Sequence, residues 1–170
     1  PGTWCGWCLC SKTGKTDMKI GIIVAMDSEY RQLKDRFGGP DIRLVRAGIG
    51  KVNAAISTIN LIRDFAPDCI INTGVAGGLD RCLDIMDVVA ADRICYHDMW
   101  CGEGNAPGQV QGLPVYFQCA PELVSKAVSI VDHVGLICSG DQFIDSREKG
   151  RAIKEAFPEA LAVDMESAAI

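Results

Sequence analysis

A three-layer α/β domain, with a mostly parallel or mixed central sheet and helices on both faces, is the fold this sequence predicts. Three observations predict it. Short apolar runs alternate with helical patterns along most of the chain, as in sheets covered by helices. Glycine-rich stretches, R-A-G-I-G-K at 46–51 and I-N-T-G-V-A-G-G-L at 71–79, read as turns leaving strands. Glu29 in A-M-D-S-E and Glu166 in V-D-M-E-S each follow a run that reads as a buried parallel strand. Both carboxylates should therefore emerge on the carboxyl edge of one sheet, where open α/β folds bind ligands.

The elements follow in order. Residues 19–25 form a first strand, and Asp27 then caps a helix carrying Tyr30 and Leu33 that Gly38, Gly39 and Pro40 terminate. Residues 42–47 alternate as a strand, and after Gly48 and Gly50 a helix runs to Phe65, closed by Pro67. Its apolar positions Val52, Ala55, Ile56, Ile59 and Ile62 keep helical spacing and are expected to face the sheet. Strands are expected at 69–73 and 88–91, then a long polar, glycine-rich loop over 96–112. Ordered loops of that length are usually functional or sit at an interface. A strand at 113–118, a helix from Pro121 to about Asp132, and a strand at 134–139 ending in G-D-Q-F-I-D come next. A charged amphipathic helix at 146–157, a strand at 161–163 and a helix opening at Met165 complete the pattern.

Composition narrows the function. The chain is 48% apolar and 23% charged with a net charge of −5. It has no basic stripe of the kind phosphate neutralisation needs, which argues against nucleic acid. No apolar run is long enough for a membrane span. Residues 1–17 precede a convincing start at Met18 and read as a non-native or mistranslated leader, without the apolar core of a secretory signal. Residues 18–170 read as the N-terminal part of a single domain, incomplete at the C-terminus, and the expected compartment is the cytoplasm.

Metal and nucleotide readings fail on particular residues. Cys5, Cys8 and Cys10 form C-x-x-C-x-C within the leader, short of the four ligands of a structural zinc site. Cys69, Cys95 and Cys138 fall in or beside strands, where cysteine behaves as a small buried hydrophobe. His97 and Asp98 lack a further ligand cluster and read as a hydrogen-bonded turn. A phosphate loop would need Ser or Thr after Lys51, where Val52 stands; a dinucleotide fingerprint would need a small residue where Asn53 stands. No metal and no organic cofactor is implied.

The motifs M-K-I-G-I-I-V-A-M-D-S-E, A-G-I-G-K-V-N-A-A, I-I-N-T-G-V-A-G-G-L, G-Q-V-Q-G-L-P, S-G-D-Q-F-I and A-V-D-M-E-S-A-A-I occur in this order. In that order and content the chain resembles the bacterial 5'-methylthioadenosine/S-adenosylhomocysteine nucleosidases, of the purine nucleoside phosphorylase and uridine phosphorylase-like superfamily, from Met18 to Ile170. The resemblance implies a hydrolase that releases adenine from thionucleosides. The chemistry suits the carboxylates independently, because departure of a purine passes through an oxocarbenium-like state that nearby negative charge stabilises and water completes.

By resemblance, Glu29 holds and deprotonates the water, and its charge would repel phosphate, favouring hydrolysis over phosphorolysis. Glu166 would accept the ribose hydroxyls with Met165 against the sugar, Phe143 would stack on adenine, and the Ile144 backbone would bond its edge. Val75 and Gly77 of the glycine-rich turn would line the substrate, Val75 standing where relatives often carry Ser. The resemblance also implies a homodimer, with the loop around Trp100 to Pro114 reaching the partner, and a purine-protonating Asp in a Ser-Asp motif beyond Ile170. A 170-residue piece lacking that acid is expected to be a poor catalyst. Asp141 is expected to shape the S-G-D-Q-F-I loop rather than replace the acid. A phosphorylase, a nucleosidase for 5'-deoxyadenosine or aminodeoxyfutalosine, and a non-catalytic nucleoside-binding protein are the alternatives.

Overall fold

The computed structural model describes residues 18–170 in full and, of the preceding stretch, the backbone of Thr3–Cys10 alone. The rest of the expected leader, and the side chains of its C-x-x-C-x-C, thus lie outside the described residues. The elements are β1 (Thr3–Cys10), β2 (Ile20–Val24), α1 (Asp27–Leu33), β3 (Ile42–Arg46), α2 (Lys51–Phe65), β4 (Cys69–Gly78) and β5 (Val88–Tyr96). They continue with β6 (Phe117–Gln118), α3 (Pro121–Ala127), β7 (His133–Ser139), α4 (Arg147–Ala156), β8 (Ala160–Asp164) and a 3-10 turn, Ser167–Ala169.

The strands form one mixed sheet in the order β1-β5-β7-β8-β4-β2-β3, with β6 on β5. β1 also pairs with β4, so the sheet curls until its path closes on itself. Pairings β2/β3, β2/β4, β5/β7 and β7/β8 are parallel, and β4/β8 is antiparallel. That last pairing corrects the expectation of two carboxylates on a common parallel edge. Glu29 follows the carboxyl end of β2, beside the middle of β4, whereas Gly77 lies opposite Val163, so the residues after β8 run back along β4 toward Gly74. The two segments meet from opposite directions.

Two apolar clusters cover the two faces. Ala54, Leu61 and Phe65 of α2 pack with Ile23, Ile70, Val89, Ile94 and Ile137, while Ile153 and Phe157 of α4 pack with Cys95, Leu136, Cys138 and Val163. The face of α2 is therefore not the expected one. Ala54, Thr58, Leu61 and Phe65 are buried, Ala55 is half-buried, and Val52, Ile56, Ile59 and Ile62 are exposed. Both stripes are apolar at helical spacing, so periodicity identifies the helix without choosing its inward side. Gly21 settles the choice, because its bare backbone admits Leu61, whose Cδ2 would lie 2.6 Å from a Cβ there.

Other boundaries also move. The glycine-rich I-N-T-G-V-A-G-G is not a turn but all of β4 after its first two residues, and β5 continues through Tyr96. The expected strand at 113–118 shrinks to Phe117–Gln118, and Met165 opens no α-helix but precedes the 3-10 turn. Met26 rather than Asp27 takes the N-cap position of α1. The 97–116 stretch is irregular, as expected of the long loop. No helix among the described residues is long and apolar enough to cross a membrane.

Candidate active site

Glu29 sits in the first turn of α1, where a helix favours negative charge. Its side chain turns back: Oε2 accepts the N–H of Ala25 at 3.0 Å and of Met26 at 2.8 Å, and Oε1 accepts the N–H of Val75 at 2.9 Å. The residue is only 3% exposed. A carboxylate so enclosed is tolerable only with such donors. A helix-start charge and a site carboxylate are thus the same group, joining β2, α1 and β4.

Glu166 is held from another direction. It precedes the 3-10 turn, and its Oε1 accepts the N–H of Gly50 at 2.8 Å. Gly50 presents that N–H from φ 95°, a conformation that only glycine adopts readily. Burial pushes the Glu166 carboxyl up to about 7; the Gly50 N–H opposes this, and the charges of Asp164 and Glu29 add to it. Asp164 lies buried beneath, its Oδ1 accepting the Ser167 hydroxyl at 2.9 Å and its Oδ2 the Ser167 N–H at 3.1 Å. Burial raises its pKa despite those bonds. Met165, half-buried, stands between the two acids.

The S-G-D-Q-F-I loop leaves the end of β7. Phe143 is 75% exposed, which removes the core explanation for this aromatic, while Ile144 packs on the α4-side cluster. Asp141 shapes the loop: its Oδ1 accepts the N–H of Lys51 at 2.8 Å, and its own N–H donates to Asp98 Oδ2 at 2.8 Å. Asp98 also receives the Lys51 ammonium on both oxygens, at 2.9 and 2.8 Å. Burial would raise the Asp98 pKa, but the bonds from Lys51 and Asp141 outweigh it and hold the group below its usual range. His97 and Asp98 form a bend rather than the expected hydrogen-bonded turn, the His97 N–H donating across to Ser139 O of β7 at 2.9 Å.

Glu29, Val75 and Gly77 therefore line one stretch of β4, with Met165 and Glu166 returning along it; Val75 and Gly77 are exposed. Phe143 and Ile144 are tied to the same α2 N-terminus that holds Glu166. Sequence reasoning missed the part played by Gly50, Lys51, Asp98 and Asp164. Lys51 was visible only as the end of a failed phosphate loop; Asp164 had a signal, being an acid two residues before Glu166 in an apolar strand. Among the described residues no group of His, Cys, Asp or Glu side chains is arranged to hold a metal ion.

The class comes from the sequence match: residues 28–170 match the Phosphorylase superfamily. A 5'-methylthioadenosine/S-adenosylhomocysteine nucleosidase of Staphylococcus aureus (strain MRSA252) is 48% identical over 176 residues, covering 89% of this chain and 77% of the relative. The structure of the Streptococcus pneumoniae MTA/SAH nucleosidase in complex with 8-aminoadenine superposes with a TM-score of 0.85 at 38% identity, over 90% of this chain and 77% of that one. The Neisseria meningitidis nucleosidase in complex with methylthio-immucillin-A gives 0.80 at 36% identity, over 89% and 77%. The chain belongs to the 5'-methylthioadenosine/S-adenosylhomocysteine nucleosidases of that superfamily.

Proposed function

We propose that the chain hydrolyses the N-glycosidic bond of 5'-methylthioadenosine and S-adenosylhomocysteine, releasing adenine. The observation that carries this reading is the buried Glu29 carboxylate, fixed by backbone N–H groups of Ala25, Met26 and Val75 beside the exposed Val75 and Gly77. A rigid anion there suits a water nucleophile and disfavours phosphate. Glu166, with one oxygen on Gly50, keeps the other for the ribose hydroxyls. Phe143 offers a flat exposed face to adenine, and Ile144 a backbone edge on an anchored loop.

In this reading the substrate ribose lies along β4 between Glu29 and Met165. Glu29 takes the proton of a water attacking the anomeric carbon as the bond to adenine breaks; the bonding pair leaves with the base, which takes up a proton from solvent, and the nearby carboxylates stabilise the oxocarbenium-like sugar. The names of the relatives, with their adenine-like and nucleoside-analogue ligands, support the substrate class.

The exposed stripe Ile49, Val52, Ile56, Ile59 and Ile62 supports a homodimer, since a row of large apolar groups on one helix face is costly in water. A cytoplasmic location belongs to the same reading.

The test is adenine release from methylthioadenosine, with and without phosphate, beside Glu29→Gln. Phosphate-independent release that the variant loses by ~10²-fold or more supports the reading. Phosphate-dependent release would assign a phosphorylase, and unaltered release from the variant would remove Glu29 from the mechanism.

A further inference from the structure

Lys51 stands where a cation is least welcome, at the first position of α2, where the helix end is already positive. Its ammonium turns away from solvent onto Asp98, with Asp141 Oδ2 at 3.9 Å; the Lys51 and Asp98 side chains are 19% and 11% exposed. An ion pair this enclosed gives up hydration it barely recovers, so net stability is a weak reason for it and fixed geometry a better one.

What the pair fixes is a closed circuit between the two sides of the site. From Glu166 the path runs through the Gly50 N–H to Lys51, whose N–H holds Asp141, two residues before Phe143. The return path runs from the Asp141 N–H to Asp98, to the Lys51 ammonium, which sits 5.1 Å over the Tyr96 ring, and through Tyr96 Oη to the carbonyl of Ala168 at 2.7 Å, just past Glu166. Gly140 leaves the room this needs: a Cβ there would lie 2.5 Å from His97 Nε2 and 2.8 Å from Asp98 Cγ.

We infer that Lys51, Asp98 and Asp141 are positioning residues that clamp the purine loop at a set distance from the ribose acceptor, so that base and sugar are recognised as one rigid unit. The inference rests on the assignment of Phe143 and Ile144 to the base and Glu166 to the sugar. Adenine alone touches only the loop and tolerates its displacement. A nucleoside must meet both sides at once and loses the pre-organisation when the clamp opens.

The test compares dissociation constants of adenine and of a non-hydrolysable methylthioadenosine analogue for the chain and for K51M, D98N and K51R, with thermal midpoints alongside. The expected result for K51M and D98N is analogue binding weakened about tenfold or more, with adenine binding changed by less than about threefold. K51R keeps a charge opposite Asp98 but replaces the compact ammonium over Tyr96 with a planar fork, so it should weaken the analogue less than K51M does, with adenine again within about threefold. If K51M does not fold, D98N carries the comparison, since Asn retains the acceptor for the Asp141 N–H. Equal weakening of both ligands would overturn the clamp in favour of a loop-shaping role. A lowered midpoint with unchanged binding would make the cluster purely structural. Absence of binding to the unsubstituted chain is a separate result and would remove the nucleoside reading itself.

Discussion

The carboxylate of Glu29 occupies the space that a side chain on Gly74 would fill: a Cβ there would stand 2.7 Å from Glu29 Oε1. Glycine weakens a strand interior, and here the bare backbone lets the carboxylate lie flat enough to take the Val75 N–H.

Gly74→Ala should therefore damage activity more than stability. The methyl group must push either the carboxylate or β4 aside, costing about 1–3 kcal/mol of folding free energy, and the Val75 bond is lost with it. Adenine release should fall by ~10²-fold, while the far-ultraviolet spectrum stays native. Undiminished release would show that the carboxylate can move without cost.

Glu166 should produce opposing pH trends. Its folded-state pKa of about 7 lies above its ordinary 4.5. Between those values the native state binds more protons than the unfolded chain, so this group's contribution to stability falls as pH rises and is lost above about pH 7. With Glu166 as the proposed acceptor of the ribose hydroxyls, the ionised form is the binding one, so nucleoside affinity should rise over the same interval. Asp164 and Glu29 face the same space, and Glu166→Gln isolates the contribution of Glu166. The thermal midpoint of the variant relative to the parent should climb from pH 5 to pH 8, measured by calorimetry; a constant difference would refute the assignment.

The inward face of α2 predicts a graded stability series. Leu61→Ala opens a cavity against Gly21 and should cost ~2–5 kcal/mol in urea unfolding. Ile62→Ala, on the exposed stripe of the same helix, should cost under about 0.5 kcal/mol of monomer stability. Comparable losses would mean that both faces are covered.

That stripe makes its own prediction. Ile56→Asp and Ile59→Asp place charges at the centre of an apolar row and should convert a dimer to monomers in sedimentation velocity, leaving the monomer folded. A dimer that survives both would place the interface elsewhere.

The strand–helix alternation was legible because most elements carry one clear period and sharp punctuation, such as Pro67 after the left-handed Ala66 at φ 47°. The face of α2 was not, since Val52, Ile56 and Ile59 compete with Ala54, Leu61 and Phe65, and only the partner surface at Gly21 decides. The run of glycines in β4 looked like a turn because local propensity counts against a strand there, whereas pairing with β8 and the Val75 bond to Glu29 override it. In the candidate site, Glu29 and Glu166 could be found from sequence as acids following strands. The Lys51 circuit could not, because its members lie 43 to 90 positions apart and no local pattern connects them.

The bond between Gly50 and Glu166 spans 116 positions, whereas that between Glu29 and Val75 spans 46. On a ribosome adding ~5–20 residues per second, the Glu29 corner can close while the Glu166 corner is still unmade, for a time on the order of ten seconds. The Gly50–Glu166 bond is thus a late contact by chain order, and a variant that slows the docking of the segment after β8 on α2 should delay that corner while leaving the Glu29 corner free to form.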